Sequence, residues 1–141
     1  EGESIGRDLA AKVDNLERIA GEIAGRAPGV VKDYQQRLNE RIAELLQSPP
    51  DPQRLAQEVA IFADRAAIDE ELVRLSSHFA QFRHLLAASE PVGRKLDFLV
   101  QEMNREVNTI GSKASDLEIG KRVVEAKAEI EKIREQVQNI E

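Results

Sequence analysis

From Ile5 to Ile140 the apolar residues recur three and four positions apart, and no stretch alternates apolar with polar as a half-buried strand does. That period restricts the chain to helices packed through apolar stripes, so the fold class is all-α. The core must be built from Leu, Ile, Val and Ala, because aromatic residues make up only 4% of the chain and Trp is absent. A length of 141 residues suits one ordinary domain, or one domain with an extended helical arm.

The stripes divide the chain. Ile5, Leu9, Val13, Leu16, Ile19 and Ile23 form the first, ending near Gly25, and Pro28 fits the first turn of a second helix carrying Val31, Tyr34, Leu38, Ile42 and Leu45. Residues 1–47 therefore read as a long antiparallel helical hairpin arm. The sharpest break is SPPDP at 48–52, with Asp51 as N-cap and Pro52 behind it. A bundle of about four helices is expected over 52–141. It starts with a short helix through Leu55, Val59 and Phe62, which pauses near Asp64. A second helix carries Ile68, Leu72, Leu75, Phe79, Phe82 and Leu86, and Ser89-Glu90-Pro91 punctuates it. A third helix runs from Gly93 to Gly111. The last opens at Ser115, with Glu118 completing a capping box, and carries Ile119, Val123, Ala126, Ile130, Ile133, Val137 and Ile140. Its 4-3-4-3 spacing fits either a bundle edge or an intermolecular coiled coil.

GRKLDFLVQEMNREVNTIGSK, residues 93–113, carries more amides than an ordinary helix surface. Leu96, Leu99, Val100, Met103, Val107 and Ile110 share one arc at about 100° per residue. Asp97, Gln101, Asn104 and Asn108 form a second arc beside it. Asn is a poor helix former, so this arc reads either as a buried polar network or as a wall for a metal or polar ligand. On the preceding helix Glu71, Arg74, His78 and Gln81 share a face. Glu71 and His78 lie two turns apart, roughly 10 Å, too far to chelate one ion unaided: they read either as a structural histidine and a helix-dipole carboxylate or as parts of a site completed by Asp97. Glu102 and Glu106 lie about 140° and about 180° round the helix from Asp97. They read as an exposed acidic pair or as ligands of a second site shared with another helix or subunit. His84 has no assigned role.

With a net charge of −6, the chain has no global electrostatic grip on nucleic acid. Lack of cysteine excludes thiolate catalysis and Cys-based zinc sites. No phosphate loop, HExxH, GxSxG or dinucleotide glycine pattern occurs. No apolar run reaches the roughly 20 residues of a membrane span, so no membrane partner is expected, and no signal peptide is visible; a cytoplasmic location is expected.

Three stretches say more than their spacing. EGESIGRDL at 1–9, FADRAAIDEELVRLSSHFAQF at 62–82 and GRKLDFLVQEMNREVNTIGSKASD at 93–116 resemble the bacterial YicC/YloC family, and so does the ending VVEAKAEIEKIREQVQNIE. The resemblance implies a metal-dependent endoribonuclease that forms homo-oligomers. It also implies a separate N-terminal domain ahead of this segment, and a chain starting at Glu1-Gly2 matches such a C-terminal portion. On that basis RNA is the expected partner and Mn²⁺ or Mg²⁺ the expected cofactor, with no organic cofactor. Asp97, Glu71, Glu102 and His78 are the expected metal ligands, with His78, Asp97 and Glu71 as the catalytic set. Arg74, Arg94, Arg105, Gln101 and Asn104 are the expected RNA contacts. The alternative is a non-catalytic oligomerisation module whose polar faces are packing networks.

Overall fold

The computed structural model describes residues 2–89 and 92–140, and of the Ser89-Glu90-Pro91 punctuation Glu90 and Pro91 lie outside them. Five helices follow in order: α1 (Gly2–Leu46), α2 (Pro52–Ala66), α3 (Asp69–Leu86), α4 (Gly93–Lys113) and α5 (Leu117–Gln138). Among the described residues there is no strand, in agreement with the expected all-α class.

Residues 1–47 do not form a hairpin. α1 is a single 45-residue helix with Pro28 inside it, about 68 Å long at 1.5 Å per residue. A proline there leaves the Ala24 carbonyl without its helical donor. Ala24 and Pro28 are both exposed, so water can satisfy that carbonyl. Ile23 and Val30 are buried on either side, and Arg26 spans the proline, binding Asp33 at 2.7 Å on one side and Asp116 of the α5 cap at 2.8 Å on the other. Packing thus keeps as one helix what local signals would divide.

The first two-thirds of α1 belong to the bundle. Leu9, Val13, Leu16, Ile19 and Ile23 are buried with the apolar faces of α3, α4 and α5. The four helices close a ring in which α1 touches α3 and α5, and α4 touches the same two. The heptad stripe of α5 is consumed within the chain, since Ile119, Val123, Ala126, Ile130, Ile133 and Val137 all bury against this core. Its N-cap is Asp116 rather than Ser115, the carboxylate accepting from the Ile119 amide at 3.0 Å.

The last turns of α1 fold back on α2 through the proline-rich turn at 48–52, where Asp51 caps α2 as expected. This projecting pair is held by stacked Tyr34 and Phe62 rings, 3.8 Å between centroids. α2 has no buried residue, and Leu45 is 71% exposed at the tip. An antiparallel hairpin exists, but its turn is at 48–52 and not at Gly25.

α4 ends at Lys113, two residues beyond Gly111. Its expected core arc is buried throughout, from Leu96 to Ile110. Lying between α3 and α5 in the ring, it has two polar flanks, one for each neighbour.

Candidate functional site

α3 opens with Asp69, Glu70 and Glu71 in its first turn, where the helix dipole favours carboxylates. Glu71, Arg74 and His78, spaced three and four apart, are then carried along one face toward α4. α4 runs antiparallel and presents Lys113, Glu106 and Glu102 in the opposite order, so the two rows pair rung by rung.

At the first rung the Lys113 ammonium donates to Glu71 at 3.0 Å and to the Ala67 carbonyl at 3.1 Å. At the second the Arg74 guanidinium reaches Glu106 at 3.1 Å, with Glu71 at 3.5 Å. Glu71 and Glu106 are the buried charged residues of the described chain, 3% and 6% exposed. A buried carboxylate without a counter-charge is strongly unfavourable, so Arg74 and Lys113 account for their presence. Burial pushes the Glu71 carboxyl up, but Lys113, the helix-end amide and Arg74 together hold it below its ordinary value. Glu106 in turn raises Arg74.

The third rung is different. One nitrogen of His78 and one carboxylate oxygen each of Glu102 and Glu106 lie within 4.8 Å of one another. Both His78 ring nitrogens are shielded from solvent and have no hydrogen-bond partner, and Glu71 Oε1 is likewise unpartnered. Buried imidazole nitrogens are normally satisfied, and here both lie unpartnered close to two carboxylates. An imidazole and two carboxylates at this separation can converge on one divalent cation, or exchange a proton with a bound substrate.

The expected site residues divide between the two flanks of α4. His78 and Glu102 meet, with Arg74 bound to their neighbour Glu106. Glu71 shares the groove but is committed to Lys113, consistent with its two-turn separation from His78. Asp97 is not brought to His78, and the expected pairing is corrected here. Its carboxylate accepts from Gln101 at 3.0 Å and lines a shallow cleft with Gly93, Arg94 and Val137 on the α5 flank, facing Arg134. Asn104 is half-buried, and Gln101 and Arg105 are exposed. The groove-facing row on α4 is the one read as an exposed acidic pair. Glu106 was read there only with Glu102, as that pair or as part of a second site shared with another helix or subunit, and Lys113, about 20° round the helix from Glu102, had no assigned role.

Among the described residues no helix is long and apolar enough to cross a membrane. Residues 23–141 match the family described as endoribonuclease YicC-like, C-terminal. The chain is 52% identical over 143 residues to a probable endoribonuclease YicC of Clostridioides difficile. It is 38% identical over 141 residues to a probable endoribonuclease YicC of Haemophilus influenzae. Each alignment covers 100% of this chain and 49% of the relative, so the chain spans about half the length of these curated relatives.

Proposed function

Since the chain belongs to the YicC-like endoribonuclease family, matching its C-terminal part, we propose that its α3–α4 groove carries a metal-assisted site for cleaving RNA phosphodiester bonds. One observation supports this above the rest: His78, Glu102 and Glu106 converge within 4.8 Å while the imidazole has no partner of its own. One nitrogen and two carboxylate donors fit Mn²⁺ better than Mg²⁺, which prefers all-oxygen octahedral surroundings. A cation held there would stabilise negative charge on the scissile phosphate and acidify the attacking water or hydroxyl.

The chain's own groups divide the remaining work. Glu102 and Glu106 supply negative charge to the site, and Arg74 fixes the Glu106 carboxylate through its 3.1 Å contact. Lys113 neutralises Glu71, keeping that buried charge from competing for Arg74. His78 offers one nitrogen to the cluster. Binding of a polyanion by this acidic chain then depends on local charge rather than on the whole surface.

The test is thermal melting of the chain with and without millimolar Mn²⁺, beside the Glu102→Gln/Glu106→Gln variant. A site that binds only the folded state raises the melting temperature, by several degrees in the wild type and not in the variant. An equal response in both would put the cation elsewhere. Degradation of a labelled RNA with Mn²⁺ should be lost in His78→Ala and retained in Asp97→Ala; the reverse pattern would move the chemistry to the α5 flank. Homo-oligomerisation is a separate proposal, supported by the exposed Leu45 and Leu46 at the tip of the arm.

A further inference from the structure

Beyond His78 the α3–α4 groove changes character. One turn on along α3 and one turn back along α4 it opens into a cavity of about 650 Å³, lined by Gln81, His84 and Leu85 and by Arg94, Lys95 and Phe98. That is within the roughly 300–1,000 Å³ range of ligand sites. Among the described residues no carboxylate lines it, although acidic residues outnumber basic ones in the chain by 26 to 20. Arg94 and Lys95 form no ion pair among the described residues. Most other arginines in the bundle do.

Phe98 stands at the mouth of this cavity, 60% exposed, whereas Phe79 and Phe82 are buried and Phe62 stacks on Tyr34. An open aromatic face bordered by unpaired cations is the combination that single-stranded nucleic acid uses: bases stack on the ring and phosphates pair with the cations. Location favours that occupant. Phe98 precedes Glu102 by one helical turn, roughly 6 Å, in the same groove, so a strand resting on it leads directly to the carboxylate–imidazole cluster.

Resting on the ribonucleolytic reading above, we propose that this cavity is a base-binding subsite for single-stranded RNA. Phe98 stacks on one nucleobase, Arg94 and Lys95 hold the flanking phosphates, and the strand continues along the groove toward His78, Glu102 and Glu106.

The experiment is fluorescence anisotropy of a short labelled oligoadenylate RNA titrated with the chain in EDTA. Phe98→Ala should weaken binding about tenfold, in the range of one lost stacking contact, while Phe98→Tyr stays near wild type. An abasic oligomer of equal length should bind weakly and equally to wild type and Phe98→Ala. Arg94→Gln/Lys95→Gln should lower affinity for every base composition and flatten the salt dependence by roughly 1.4 log units per decade, two phosphate contacts at about 0.7 each. Phe98 is exposed, so the variant is expected to melt with the wild type. Unchanged affinity in Phe98→Ala would overturn the subsite. Dissociation of a dimer by that substitution with RNA affinity intact would also overturn it, and would assign the cavity to a second copy of the chain. The Mn²⁺ melting response reads the cluster independently. If that response persists while binding ignores Phe98, only the subsite fails; if it is absent while Phe98 matters, only the metal reading fails.

Discussion

Asp116 shows how much one side chain can carry. It caps α5 through the Ile119 amide and takes two bonds from Arg26, at 3.1 and 2.8 Å. Arg26 is the main reason its carboxyl titrates below the ordinary 3.8, with the cap amide adding to the effect. A depressed folded pKa means stability that is fully present above the unfolded value and lost as pH falls through the folded one. Asp116→Ala should therefore lower stability by about 1–2 kcal/mol at pH 7, with the difference from wild type shrinking below about pH 4. Urea denaturation at pH 7 and pH 3 checks this; an equal penalty at both would mean that the charge contributes nothing. The capping role was read from the sequence one residue early, at Ser115. Both Ser115 and Asp116 are good caps, and only the Arg26 contact from α1 distinguishes them.

At the scale of elements, Pro28 is the instructive case. Read locally, a proline after Gly25 starts a helix, and an antiparallel hairpin follows. α1 instead runs through it, because Ile23 and Val30 are both buried and Arg26 ties the segment to Asp33 and Asp116. The missing hydrogen bond still has a cost, about 3 kcal/mol for an interior proline in a host helix. It is reduced here by the exposure of the freed carbonyl. Pro28→Ala should raise stability by about 1–2 kcal/mol, seen as a higher denaturation midpoint with an unchanged slope; a lower midpoint would show that the bundle requires the proline.

For the whole molecule, the core is continuous across α1, α3, α4 and α5, so the bundle should unfold in one step. Phe82, fully buried among these helices, tests this. Phe82→Ala should cost about 3–5 kcal/mol, a large share of the roughly 5–15 kcal/mol available to a domain. Its far-UV transition should stay single while moving to lower temperature. A first transition at the wild-type temperature followed by a second would show that the helices fold in separate groups.

Apolar period by itself determined the all-α class and the buried faces of α3, α4 and α5, because burial of a stripe is dictated by which residues repel water, and the turn residues of SPPDP determined the break at 48–52. Helical spacing put His78 on a face with Glu71 and Arg74, while Glu102 became an expected ligand only through the family resemblance. Spacing could not say which polar flank of α4 meets α3. Asp97 and Glu106 lie on opposite sides of the same core arc, and their rows look equally suited to a site when the helix is taken alone. The hand of the four-helix ring puts Glu102 and Glu106 against His78 and turns Asp97 toward α5. That choice is made by the packing of all four helices together, a long-range property that no local spacing encodes.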